Sequence, residues 1–546
     1  MDSFDVIVVG GGAAGVPLAV RLSENPGLRV LLLEAGPDAR RRQDYPAELI
    51  AASMMSAAMP GHPNNWAFTA QLTPELGCSM ARGRILGGST ALNGAYFVRA
   101  RKTDADRWAA AGNHEWSYEK ILPYYIRLEK DLTYGDAPGH GSSGPMPVNR
   151  VTENLSPVTD AFYEAAEELG FSYEPDKNDM TSNEGYGPLP QNAVDGVRMN
   201  TALAYLSPVR ESRPNLTVRG NTVVHRIILD GDRAIGVVAR TGRRTTVFRA
   251  GTIVLCAGAI KSPHLLLLSG IGPADELRRA GIRVRHDLPG VGKGYTDHPD
   301  ILFNWVPRRR LDDPWLPRLF EGVLHWTASG SATPGDLEIL PMLRPFGRAV
   351  FGPAGKGLLT MAAHPLATLR GMMGTSLKRN LDQLLHSAGL NLVVALQRPE
   401  SRGELTIVSP DPDVHPRLRH RYLTTARDRE RMREALRVAA GLLRSKAFRP
   451  YVKRFGEIDR KTLDNDALLD AWARRHIGTA FHTAGTAKMG PAGDPEAVVD
   501  QYGRVHGIDG LWIADLSILP DVPSRGPAAT AVMIGERVAD FIREKA

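Results

Sequence analysis

"FDVIVVGGGAAGVPLAVRLSENPGLRVLLLEAG", residues 4–36, decides the fold. A short apolar run leads into a glycine turn, a helix-compatible stretch and a second apolar run that closes at Glu34, which together predict one βαβ unit. Gly10, Gly12 and Gly15 fill the GxGxxG pattern. The first allows the tight turn, the second lets backbone approach a pyrophosphate, and the third permits close packing of helix on strand, with the helix N-terminus facing the phosphates. Glu34 lies 19 residues beyond Gly15, where a carboxylate can accept both hydroxyls of an adenosine ribose and would repel a 2′-phosphate. Strand, helix, spacing and acid agree on a dinucleotide, and leave FAD and NAD both open.

The rest of the chain narrows the class. Its 546 residues suffice for two or three domains or one interleaved pair, and 43% hydrophobic with 23% charged residues is an ordinary globular composition. A net charge of +7 from 67 basic and 60 acidic side chains is too dilute for a nucleic-acid partner. Two cysteines outside any CxxC pattern encode neither a disulfide framework nor a thiolate zinc site, and no metal is expected. The first apolar run is too short for a signal peptide, so a cytoplasmic location is expected. No apolar run reaches the roughly eighteen residues of a spanning helix, which leaves peripheral membrane contact open.

A second glycine cluster, "RGRILGGSTALNG" at residues 82–94, is too glycine-rich to start a regular helix and reads as another ligand-facing loop. With "GVGKGYTDHP" (290–299) and "FHTAGTAKMG" (481–490), the chain resembles the glucose-methanol-choline (GMC) family of FAD-dependent oxidoreductases. The resemblance implies an α/β fold in which a discontinuous, Rossmann-like FAD-binding domain is joined to a substrate domain of sheet plus helices. The expected division gives 1–150, 206–300 and 471–546 to the FAD-binding domain and 151–205 and 301–470 to the substrate domain. It also implies that Gly88, Ser89, Asn93 and Gly94 lie near the flavin, that the backbone of Val224 meets the adenine, and that Asp515 lies beside the pyrophosphate and ribityl chain. Some members attach FAD through a histidine in the second glycine loop; here that position is Leu92, so noncovalent FAD is expected.

His482 could be a packed core group, a metal ligand or a base. No nearby spacing completes a metal-ligand set, the closest histidine being His476. Alcohol oxidation needs a group that removes the hydroxyl proton, and an imidazole near pKa ~6.5 suits that task. The match of "HxxGTxKMG" implies that His482 is this base, facing the flavin; Ala487 departs from the cysteine of many members. A larger departure lies in "DLSILPDVPSRGPAATAVMIGERVADF" (515–541), where the family's second catalytic histidine or asparagine falls on Gly526. Arg525, Ser524, another displaced side chain or a water is expected to supply the missing hydrogen bond, unless one histidine suffices, and Arg525 is the candidate named here.

The "SRGPxAT" variant, with "GGSTALNGAYFVRA" and "HGSSGPMPVNRV", resembles the mycofactocin-associated branch of the family. That implies reduced mycofactocin, a redox peptide, as donor and the respiratory chain as acceptor. Choline-type or aryl-alcohol oxidation is the alternative, and the fold also hosts lyases and a light-driven decarboxylase. Residues 347–389 form an unusual connection: no acid occurs between Glu338 and Asp382, whereas Arg344, Arg348, Lys356, Arg370, Lys378 and Arg379 all do. Basic and apolar residues together suit an anionic membrane surface, and an equally simple reading is a solvated loop over the substrate entrance.

Overall fold

The computed structural model describes residues 3–182, 184–311, 316–352, 356–372, 375 and 389–544. Strands Ser3–Val9 and Val30–Leu33 pair in parallel, Val6 opposite Val30 and Val9 opposite Leu33, with helix Gly15–Leu22 crossing between them. Every residue of the second strand is buried, as an unbroken apolar run in a sheet covered on both faces requires. Gly10 turns at φ 107°, a region closed to most side chains, and a Cβ on Gly15 would lie 1.9 Å from the Gly10 carbonyl oxygen.

The sheet is completed by distant parts of the chain. Strand Arg244–Leu255 pairs in parallel with Ser3–Val9 along one edge. Along the other edge it runs antiparallel to Arg233–Thr241 and, at its end, parallel to Leu511–Ile513. Leu216–Arg219 extends the opposite side on Val30–Leu33. The C-terminal helix Ala528–Arg543 then packs on the first helix so closely that a Cβ on Gly535 would meet the Ala14 carbonyl oxygen at 2.2 Å. Buried Glu536 fixes this contact through Arg21 at 2.9 Å and Arg127 at 2.6 Å.

A second sheet is antiparallel, in the order Val452–Phe455, Pro299–Pro307, Leu390–Leu396, Leu337–Pro341, Gly322–Trp326, Tyr186–Pro188, with Ile477–Thr479 also paired to Pro299–Pro307. Successive residues point to opposite faces of a strand. Leu324, Leu337, Ile339, Leu392 and Val394 therefore meet helices Pro157–Glu168, Ala426–Arg444 and Asp466–His476 in one core. His325 and Glu338, directly opposite each other across two strands, are left on the other face. Residues 471–479 belong to this second unit, because Trp472, Ala473 and Ile477 fill its core.

The basic connection contains helices Phe346–Phe351, Lys356–Ala363 and Pro365–Met372, whereas Lys378, Arg379 and Asp382 lie outside the described residues. Gly15→Ala should cost about 1–3 kcal/mol through overpacking against the Gly10 carbonyl, read as a lower denaturant midpoint. An unchanged midpoint would show that the turn can relax away from the helix.

Candidate active site

Two glycine loops face each other. A Cβ on Gly88 would come 2.7 Å from the Cα of Gly12, yet one on Gly12 would meet only Gly88, at 3.8 Å. The backbones approach closely and leave the Gly12 side open. Ser89 is exposed in this otherwise buried turn, its Oγ accepting from the Gly83 amide at 3.1 Å. Asn93 accepts from the Ala95 amide at 3.1 Å, and the Cα of Gly94 faces the Phe320 ring, 3.1 Å from an added Cβ. Arg198, fully buried, pins the loop by donating to the carbonyls of Leu49, Ala51, Met54 and Ala91.

Glu34 accepts from the amides of Gly11 at 2.9 Å and Gly36 at 2.7 Å, and burial pushes its pKa up to about 7. Val224 is buried beside an irregularity in its ladder that skips His225. Asp515 accepts from the Gly258 amide and the Ser262 hydroxyl with one oxygen and from the Ser517 amide with the other, at 2.5–2.9 Å, so it anchors the start of helix Gly258–Leu268. An open glycine cradle beside a carboxylate at the second strand's end suits the pyrophosphate and ribose of a dinucleotide.

His482 follows Phe481, which is held at φ 62°, a costly conformation for an aromatic residue. The Asp297 carboxylate stabilises it by accepting the His482 amide at 2.7 Å, together with the His298 amide at 2.8 Å and the Thr483 hydroxyl at 2.9 Å. The ring Nδ1 atoms of His298 and His482 are 2.9 Å apart, and Nε2 of His298 lies 2.9 Å from the Pro523 carbonyl oxygen. A carbonyl only accepts, so Nε2 of His298 carries the proton and its Nδ1 offers a lone pair. His482 must then donate from Nδ1, which leaves the lone pair of its Nε2 free. Burial pushes His298 down to about 4 and His482 to about 3, the second also through its neighbour, so both rings are neutral at physiological pH.

The sequence matches the GMC oxidoreductase family over residues 4–300 and 399–535. A GMC-type oxidoreductase of Rhodococcus erythropolis is 36% identical over 542 residues, covering 99% of this chain and 98% of its own. An oxygen-dependent choline dehydrogenase of Escherichia coli is 34% identical over 554 residues, covering 99% of this chain and 96% of its own. The chain belongs to the GMC oxidoreductase family. Among solved structures, pyridoxine 4-oxidase from Mesorbium loti superposes with a TM-score of 0.84 at 28% identity, over 99% of both chains.

In this GMC oxidoreductase the place opposite His482 is filled from elsewhere in the chain. A Cβ on Gly526 would lie 3.6 Å from Cε1 of His482 and 3.2 Å from the ring of Tyr96, so the phenol ring crowds the place where a side chain at 526 would begin. Tyr96 donates to Glu338 at 2.6 Å and lies 3.2 Å from Nε2 of His325, which is 2.8 Å from the same carboxylate. Burial raises the Tyr96 pKa and pushes Glu338 up to about 7.

Neither named substitute stands in the vacancy. Ser524 is spent on Asp104 through both amide and hydroxyl, and Arg525 turns away to the carbonyls of Gly335 at 3.1 Å and Ser524 at 2.7 Å. The grouping of potential metal ligands among the described residues, Glu129, Asp131 and His140, is matched by Arg99 and Arg150, an ion-pair network rather than an open cation site.

His298, Asp297, Tyr96, His325 and Glu338 escaped the sequence reading. "TDHP" was noted only as a motif, and the other contacts join strands far apart in the chain. His298→Leu should lower the rate of flavin reduction about 10- to 100-fold, the usual range for losing a group that orients a functional ring, with cofactor content retained. An unchanged rate would mean that His482 needs no partner to set its tautomer.

Proposed function

We propose that this GMC oxidoreductase holds FAD noncovalently and is a dehydrogenase of alcohol-type donors, with His482 as the base. The observation that carries the reading is the Nδ1 to Nδ1 contact of His482 with His298, which leaves Nε2 of His482 as the unspent nitrogen. Gly10, Gly12 and Gly15 would hold the pyrophosphate, Glu34 the ribose, and the Gly88–Gly94 loop the flavin end. FAD, when bound, supplies the two-electron acceptor for the hydride leaving the carbinol carbon. Nε2 of His482 takes the hydroxyl proton as that carbon becomes a carbonyl, and the Nδ1 proton given to His298 keeps the base in one orientation. Tyr96 closes the opposite wall. The noncovalent assignment rests on Leu92, a side chain with no nucleophilic atom at the family's attachment position.

His482→Ala should slow anaerobic flavin reduction by about 10²–10⁴-fold, the range for losing a general base, with FAD still bound. Because His482 and His298 are held near 3 and 4, their neutral forms persist down to acid pH and neither should produce an inflection around neutrality. Glu338 does titrate near 7. An inflection between pH 6 and 8 should therefore weaken in Glu338→Gln, and one that survives unchanged both there and in Glu34→Gln would place an ordinary imidazole at the reacting hydroxyl.

Reduced mycofactocin, choline and aryl alcohols are the donors to compare, with a respiratory acceptor the favoured outlet for the electrons. A peripheral site on the inner face of the membrane is part of this reading. Its support is the pair of helices Lys356–Ala363 and Pro365–Met372, which expose Leu358, Leu359, Leu366 and Leu369 beside Arg370. Among the described residues no helix is long and apolar enough to cross a bilayer. Leu359→Glu with Leu366→Glu should abolish sedimentation with anionic vesicles at low salt; wild-type protein that stays in the supernatant would remove the membrane from the account.

A further inference from the structure

On the face of the substrate-side sheet that carries His325 and Glu338, three cations gather. Lys177 is matched by an ion pair with Glu174 and also donates to the Gly185 carbonyl. Arg101 has Glu184 only at 4.0 Å, gives Nη2 to the Ser182 carbonyl, and keeps Nε and Nη1 buried without an acceptor. Arg525 is 2% exposed and spends one nitrogen, Nη1, on two carbonyls; no carboxylate pairs with it among the described residues. The two guanidinium groups converge: a Cβ on Gly335 would lie 2.9 Å from Nη1 of Arg525 and 3.2 Å from Nη1 of Arg101.

Among the described residues Arg101 is matched only by the distant Glu184 and Arg525 by no ion pair, and incompletely matched buried guanidinium groups side by side repel. The arrangement is stabilised when an anion with two oxygens accepts from both forks. Its position is informative. The ring of Tyr96 lies against Gly526, where an added Cβ would also come 3.6 Å from Cε1 of His482, while its hydroxyl end lies in the field of Arg525, as do Glu338 and His325. A donor lying along Tyr96 would have its carbinol at His482 and its far end at the two arginines.

We propose that Arg525 and Arg101 form a carboxylate-binding subsite, so that the donors of this enzyme are alcohols bearing a carboxylate at the end remote from the oxidised carbon. This rests on His482 being the base for an alcohol. Arg525 is then a specificity-determining residue that meets the substrate's anion, instead of the missing partner of His482. The same cations disfavour a quaternary ammonium donor. The absence of a side chain at Gly526 and the ring face of Tyr96 give the chain between the two ends a surface without competing hydrogen bonds.

The test uses the holoenzyme with 4-(hydroxymethyl)benzoate and a series of ω-hydroxycarboxylates, each against its methyl ester. Flavin reduction is followed anaerobically, and binding of benzoate against benzamide is followed by the flavin absorbance change. The acids should exceed their esters in kcat/KM by about 10- to 100-fold, the worth of a charge-assisted hydrogen-bond pair. In Arg525→Met that ratio should fall to near one, and Arg525→Lys should keep part of it. If Arg525→Met does not fold, Arg101→Gln should reduce the ratio in the same direction. Equal use of acids and esters by the wild type, or a ratio unchanged in the variants, overturns the subsite. Tight benzoate binding lost in Arg525→Met, with no alcohol oxidised, would uphold the subsite and overturn the base assignment.

Discussion

One buried carboxylate holds the site together. Asp297 accepts the amides of His298 and His482 and the hydroxyl of Thr483 within 2.7–2.9 Å, joining the start of the substrate-side strand Pro299–Pro307 to the segment that returns to the nucleotide domain. Burial works against its charge, but His420 and then Arg82 act in the other direction and hold its pKa down to about 2. The left-handed turn at Phe481 and the contact between the two imidazoles both depend on that anion. Buried charges of this kind are expensive to leave unpaired, so the carboxylate fixes one arrangement rather than several.

The βαβ unit was legible because its signals are local. Apolar runs, a GxGxxG turn and an acid at the end of the second strand lie within residues 4–36. The discontinuous sheet was legible through resemblance, since no periodicity announces that Ser3–Val9 will pair with Arg244–Leu255. The pairing of Ile477–Thr479 with Pro299–Pro307 was not legible, because the strand is short and its partner lies far away in the chain.

At the site, the sequence showed a vacancy at Gly526 and could not show its occupant. Tyr96 fills it from 430 positions away, and its hydroxyl partners stand on two further strands. His298 sat in view within "TDHP", yet its role needs the carbonyl of Pro523, a contact set by the fold alone. Two neutral histidines and an aromatic wall thus stand where the family pattern leads one to expect a pair of polar catalytic groups. Charge is displaced to the substrate-side sheet, where Arg101 and Arg525 converge.

The central claim is that His482 is neutral, protonated on Nδ1 and free on Nε2. Nitrogen-15 spectra of histidine-labelled holoenzyme near neutral pH, with His482 assigned by its absence in His482→Gln, test this directly. The account predicts a protonated Nδ1 and a bare Nε2 for that ring, with the opposite tautomer for His298. A His482 signal showing both nitrogens protonated, or the proton on Nε2, would contradict it.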